Sequence, residues 1–66
     1  MEKNIADRLI LLRKENDESR EDVAKAIGVS ISAISMYENG ERIPRDYIKI
    51  KLAEHYGVSV QDIFFT

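Results

Sequence analysis

Apolar residues recur along the chain at three- and four-residue spacings, a pattern that predicts amphipathic helices. Asn4 is placed to cap the first helix. The apolar stripe of that helix comprises Ile5, Leu9 and Leu12. Ile10 and Leu11 lie beside the stripe. We interpret them as part of a wide buried face, with a contact to the C-terminal end or to a second subunit as the alternative.

The stretch from residue 20 to residue 39 has the pattern of two short helices joined by a tight turn. Ser19 predicts the start of the first, and Asp22, three residues on, completes a weak capping box. Gly28 ends this helix in a left-handed conformation, and Ser30 caps the next. The apolar sides comprise Val23, Ala24, Ile27, Ile34 and Tyr37. The unit looks like a nucleic-acid-binding helix-turn-helix, with a purely structural helical hairpin as the alternative.

The C-terminal third repeats the same signals. Pro44 marks the start of a fourth helix. Its inward residues are Ile48, Leu52, Ala53 and Tyr56, and its outward residues are Lys49, Lys51 and Glu54. Gly57-Val58-Ser59 repeats the order of Gly28-Val29-Ser30 and predicts a helix stop followed by a cap. Asp62 then completes another weak capping box on a short fifth helix.

The aromatic residues bear on how a small core is completed. We interpret the three tyrosines as core or half-core residues, namely Tyr37, Tyr47 and Tyr56. We expect one of Phe64 and Phe65 to finish the core and the other to be exposed. Because no linker or low-complexity tract interrupts the pattern, residues 1–66 are predicted to form one all-α domain of five helices.

Composition excludes several classes of protein. The chain has 66 residues and no cysteine, so disulfides and thiolate chemistry are ruled out, which fits a cytoplasmic protein. No apolar run approaches the roughly 20 residues of a membrane span. The formal net charge is −2, and the window from Arg20 to Arg45 is neutral. A nucleic acid would therefore meet a local basic rim rather than a broad positive field.

No arrangement of residues suggests catalysis or metal binding. His55 is the only histidine, and no second ligand lies at a suitable spacing. We interpret it as a solvated or edge-packed side chain. Three of the serines are helix caps, and no serine can be assigned a histidine partner for nucleophilic chemistry. We therefore predict no enzymatic activity, no catalytic residue, no metal and no cofactor.

A resemblance to a known family is carried by residues 12–15, 19–40 and 57–64, with Pro44 and Ala53. The chain is similar to the Cro/CI-type helix-turn-helix regulators, the phage-repressor-like or XRE family. This resemblance implies a five-helix, lambda-repressor-like DNA-binding domain whose helix-turn-helix unit spans about residues 20–39. It implies a transcriptional regulator that binds double-stranded operator DNA, commonly as a symmetric homodimer. It also implies a salt bridge between Arg13 and Glu38.

Three features depart from the pattern of that family. Asp17 and Glu18 stand where the family usually has glycine and leucine, so we expect a less stable joint before the second helix. Arg20 replaces a frequent glutamine at the start of that helix. The outward face of the third helix lacks long polar side chains, which predicts weak direct readout of bases and a contribution from DNA shape.

The resemblance and the helical periodicity together assign candidate contacts with DNA. Base contacts are expected from Ser30, Ile31, Ser32, Ser35 and Met36, on the outward side of the third helix. Among these, Ser32 is the main hydrogen-bonding reader, while Ile31 and Met36 suit thymine methyl groups. Phosphate contacts are expected at the start of the second helix and beyond the third, from Arg20, Asn39, Gly40, Glu41, Arg42 and Arg45.

A protein-interaction module on the same fold is the alternative function. The neutral central window and the apolar third-helix face also suit an antitoxin-like partner of a toxin, or an anti-repressor that holds another repressor. For the homodimer, we expect the seam at the Pro44 loop or at the Phe64-Phe65 end.

Overall fold

A computed structural model of the chain describes residues 5–65, which contain five α-helices and no strand. The helices are α1 (Ile5–Glu15), α2 (Arg20–Ile27), α3 (Ile31–Glu38), α4 (Asp46–Tyr56) and α5 (Val60–Phe64). α1 packs on α3 and α5, α2 packs on α3 and α4, and α4 packs on α5. The predicted all-α fold is confirmed. Asn4, the predicted cap of α1, lies outside the described residues.

The helix boundaries follow the predicted caps. Ser19 Oγ accepts a hydrogen bond from the Asp22 N–H at 3.0 Å, and the Asp22 carboxylate accepts one from the Ser19 N–H at 2.9 Å. This backbone hydrogen bond lowers the pKa of Asp22 below its ordinary value. Ser59 forms the same capping box at α5, and Gly28 and Gly57 end their helices in the left-handed conformation. Both predicted capping boxes are therefore confirmed.

All five helices contribute side chains to one core. Its buried residues are Leu9, Val23, Ala24, Ile27, Ile34, Tyr37, Ile48, Leu52, Ala53, Ile63 and Phe64. Ile5, Leu12, Val29 and Tyr56 are half-buried against this cluster. Phe64 is thus the aromatic residue that completes the core, whereas Phe65 is 65% exposed.

Three expectations about the helix faces were wrong. Tyr47 is exposed, because it precedes the buried Ile48 and adjacent helical residues diverge by about 100°. Leu11 is two residues beyond the buried Leu9 and so lies on nearly the opposite side of α1, which leaves it exposed rather than part of a wide buried face. Lys49 was expected to face water, yet its side chain is only 16% exposed. Its ammonium lies 5.4 Å and 5.3 Å from the ring centroids of the two phenylalanines, so its stem covers α5.

A polar contact connects the joint between α1 and α2 to α4. Asp17 has a positive φ of 59°, a conformation that is unfavourable for a residue with a Cβ. The Glu18 carboxylate lies 2.9 Å from His55 Nε2 on α4. His55 also packs edge-on against Tyr56, with a ring-centroid distance of 5.0 Å, so it is edge-packed as expected. α4 begins at Asp46, two residues beyond Pro44, where its start was predicted.

A buried carboxylate connects α1 to α3. The Glu38 side chain is 2% exposed. Its two oxygens accept from Arg13, with Nε to Oε2 at 2.8 Å and Nη2 to Oε1 at 3.1 Å. Arg13 Nη1 also donates to the Glu18 carbonyl at 3.0 Å, which fixes the loop before α2. The hydrogen bond to Glu38 raises the pKa of the guanidinium, so Arg13 stays charged.

Replacing Arg13 by alanine should destabilise the domain by about 2–4 kcal/mol, because the buried Glu38 charge would lose its main partner. Urea unfolding measures this change. Lys14→Ala is the matched control, since Lys14 is the next residue on α1 and is exposed. A loss below about 0.5 kcal/mol for Arg13→Ala, within the range of ordinary surface substitutions, would show that the pair contributes little.

Candidate nucleic-acid interface

The N-terminal end of α3 lies at the surface of the helix-turn-helix. Ile34, Tyr37 and Glu38 are buried on its inner side. Ile31 is 48% exposed in the first turn, and Ser32 beside it is also exposed. Ser30 Oγ accepts from the Ala33 N–H at 3.0 Å, so this hydroxyl caps the helix as predicted. An apolar side chain and a hydroxyl therefore project together from the end of α3.

The two remaining candidate base readers lie further along the same helix. Ser35 and Met36 are both half-buried, so each reaches the surface only in part. Ser35 Oγ accepts a hydrogen bond from Arg20 Nη1 at 3.3 Å. The structure therefore brings four of the five candidates to the outer side of α3, with Ser30 at its cap. Whether they contact bases stays a prediction.

The candidate phosphate-binding residues differ in how many donors they have free. Asn39, Arg42 and Arg45 are exposed beyond α3. By contrast, the backbone N–H of Gly40 donates to the Tyr37 carbonyl at 3.4 Å, and that of Glu41 donates to the Met36 carbonyl at 2.9 Å. These two amides close the end of α3 and are already engaged. Phosphate contacts at this edge would therefore fall to side chains.

Arg20 has a different environment from the one expected at the start of α2. Its Nε donates to Glu38 Oε1 at 3.0 Å, in addition to the bond from Nη1 to Ser35. Its side chain is 38% exposed. From the sequence, this guanidinium was expected to contact a DNA phosphate, whereas in the structure it is hydrogen-bonded to two side chains of α3. The first turn of α2 still presents N–H groups at the surface, with that of Asp22 taken by Ser19.

The burial of Glu38 changes the charge that this face presents. A count along the sequence treats Glu38 as one of four acidic residues that neutralise the window from Arg20 to Arg45. In the structure its carboxylate lies between the guanidiniums of Arg13 and Arg20, so this cluster carries a surplus positive charge. The exposed surface is therefore more positive than the sequence count indicates. The count along the sequence missed this because the surplus charge comes from Arg13, which lies outside the window from Arg20 to Arg45.

The sequence matches the model of a known protein family. Residues 9–63 match the family model described as helix-turn-helix. The chain belongs to this helix-turn-helix family. The family and the fold are those of DNA-binding transcriptional regulators, so the predicted resemblance is confirmed. No helix among residues 5–65 has the length and apolar character needed to cross a membrane.

Two curated relatives carry the same motif. An uncharacterised HTH-type transcriptional regulator of Methanocaldococcus jannaschii is 39% identical over 46 residues, which cover 70% of each chain. The transcriptional repressor RstR of the cryptic phage CTXphi, from Vibrio cholerae, is 38% identical over 52 residues. That alignment covers 79% of this chain but 47% of RstR, so this helix-turn-helix protein spans about half the length of that repressor.

Two solved structures share the fold. The P22 c2 repressor, crystallised in complex with a synthetic operator, superposes with a TM-score of 0.94, and the match covers 97% of both chains. A transcriptional regulator from Listeria innocua superposes with a TM-score of 0.89 over the whole of this chain and 62% of its own. Each is 23% identical to this helix-turn-helix protein. These likenesses establish the five-helix architecture.

Substituting Arg42 or Arg45 by glutamine should weaken binding to all duplex sequences about equally and reduce the salt slope by about one. In the unmodified chain, each guanidinium that contacts a phosphate releases about one counterion from the DNA backbone, and the glutamine variant loses this release. Binding isotherms at several salt concentrations measure this, with Lys14→Gln as a control that removes a charge from α1. A change in sequence preference, with the salt slope unaltered, would contradict the assignment to phosphate.

Proposed function

We propose that this protein is a sequence-specific transcriptional regulator of the repressor or Cro type, which inserts α3 into the major groove of double-stranded operator DNA. The observation that carries the proposal is the exposure of Ile31 and Ser32 at the N-terminal end of α3, above a buried inner side. The helix-turn-helix relatives and the P22 c2 repressor–operator complex support it. The protein would act in the cytoplasm without catalysing a reaction.

Short side chains would read the bases. The Ser32 hydroxyl can donate and accept, so it suits a single hydrogen bond with a base edge. Ile31 and the partly exposed Met36 offer apolar contacts to thymine methyl groups. No arginine, glutamine or asparagine lies within α3, so a bidentate base contact is not available there. DNA shape and deformability would supply part of the specificity.

Replacing single operator thymines by uracil should weaken binding roughly threefold to fourfold wherever a methyl group is read, because one buried methyl contributes about 0.8 kcal/mol. Ile31→Ala or Met36→Ala should abolish that sensitivity at one position each. Leu11→Ala is the control, since it removes an exposed apolar side chain from α1. If no uracil weakens binding and Ser32→Ala leaves site preference intact, α3 does not read bases. Its apolar end would then favour the antitoxin-like or anti-repressor function.

A homodimer would double the number of base pairs that the protein contacts. One recognition helix covers only a few base pairs, so two-fold repetition raises both affinity and specificity. Four large apolar side chains on or near α4 are exposed and are here together called the α4 patch, namely Ile43, Tyr47, Ile50 and Phe65. Tyr47 and Ile50 are three residues apart on α4 and so lie on one side of it. Phe65 follows α5, and its ring centroid lies 5.3 Å from the ammonium of Lys49 on α4. The dimer contact is proposed here because exposed apolar surface marks interaction sites.

The protein should bind its best duplex as two chains, on half-sites about one helical turn apart. Light scattering of the complex measures the stoichiometry. Tyr47→Ser should favour the singly occupied duplex, because it removes an aromatic ring from the α4 patch. Leu11→Ser, an equally exposed apolar residue on α1, should leave two chains bound. A strictly monomeric complex of the unmodified protein on its best duplex would contradict the proposed dimer.

A further inference from the structure

Arg20 joins the two helices of the helix-turn-helix at the ends that the turn does not connect. It opens α2, whereas Glu38 closes α3, and the Gly28 turn lies at the opposite ends of both helices. The bond from Arg20 Nε to Glu38 Oε1, at 3.0 Å, therefore supplies a second link between α2 and α3. The bond from Arg20 Nη1 to Ser35 Oγ adds a third contact, in the middle of α3.

We propose that Arg20 is a positioning residue for base recognition, which fixes α3 and orients the Ser35 hydroxyl, rather than a phosphate contact. This inference rests on the proposed function, because it concerns how α3 reads DNA. Arg20 would influence which base is preferred without touching DNA itself. A phosphate contact, by contrast, strengthens binding to every sequence.

The hydrogen bond to Ser35 has a chemical consequence for recognition. Ser35 Oγ accepts from a charged guanidinium, which occupies one lone pair and makes its own O–H a better donor. A serine held in this way suits acceptor atoms on base edges, such as guanine N7 and O6, adenine N7 or thymine O4. Without Arg20, the hydroxyl would rotate freely and would donate or accept with little preference.

The arrangement around Glu38 makes Arg20 separable from the fold. Arg13 contributes two hydrogen bonds to the carboxylate, whereas Arg20 contributes one. The Arg13 side chain is also the more buried of the two, at 13% exposed against 38%. Removing Arg20 would therefore leave Glu38 neutralised by Arg13. We expect an Arg20 variant to lose much less stability than one that lacks Glu38.

The test is selection of bound sites from random duplex DNA, with the unmodified chain, Arg20→Gln, Arg20→Lys and Ser35→Ala. Arg20→Gln should reduce discrimination roughly three- to tenfold at one base position, the range of a single lost hydrogen bond. Ser35→Ala should relax the same position. A variant that combines Arg20→Gln with Ser35→Ala should discriminate no less well than either single variant. Arg20→Lys keeps the charge but replaces the fixed fork of guanidinium donors by one ammonium, so it should relax that position while the salt slope stays unchanged.

Lys25→Gln is the matched control, because Lys25 is an exposed cation on the same helix, 3.8 Å from Glu21. It should leave base preference unaltered. Urea unfolding of every variant separates lost positioning from lost folding. If Arg20→Gln does not fold, the comparison of Arg20→Lys with Ser35→Ala decides the question.

Two results would overturn the inference while the proposed function stands. In the first, Arg20→Gln weakens all sequences equally and lowers the salt slope by about one, which identifies a phosphate contact. In the second, the Arg20 variants select the same sequence as the unmodified chain with equal discrimination. If the unmodified chain enriches no sequence, the proposed function fails and the positioning role fails with it.

Discussion

The buried Glu38 carboxylate is the interaction on which the rest of the structure depends. A charge that is 2% exposed is stable only when opposite charges and hydrogen bonds replace its water. Arg13 supplies these from α1, and Arg20 adds a further bond from α2. Glu38 itself terminates α3, so one carboxylate links α3 to both preceding helices. The buried side chains of Ile34 and Tyr37 supply the apolar part of the same packing.

A rigid α3 matters because its outward side chains are short. Ile31 and Ser32 reach only a small distance beyond the helix, so under the proposed function their contacts with bases would depend on where the backbone of α3 lies in the groove. Longer side chains can adjust their reach through several rotatable bonds, whereas serine and isoleucine have few. The hydrogen bonds of Glu38 with Arg13 and Arg20 therefore suit a helix whose outward side chains are short. The Glu18–His55 contact extends them to α4 and replaces an apolar side chain in the joint.

Local signals predicted the helices and their ends, because caps and left-handed glycines act through neighbouring residues. Ser19, Gly28 and Ser59 were assigned in this way. The Arg13–Glu38 pair was expected only through resemblance to a family. The bonds of Arg20 and of His55 were not predicted, since they join residues 15 to 37 positions apart and depend on how the helices pack. The same holds for which phenylalanine is buried, because helix phase on a one-turn helix is ambiguous.

The most direct measurement is the free energy of unfolding of Glu38→Gln, determined with urea beside Glu54→Gln, which removes an exposed carboxylate from α4. Glutamine keeps the shape of the side chain but leaves two guanidiniums without their counter-charge. A loss of about 3–5 kcal/mol is expected for Glu38→Gln, and less than about 0.5 kcal/mol for Glu54→Gln. A Glu38→Gln variant as stable as the unmodified chain would contradict the central role of this carboxylate.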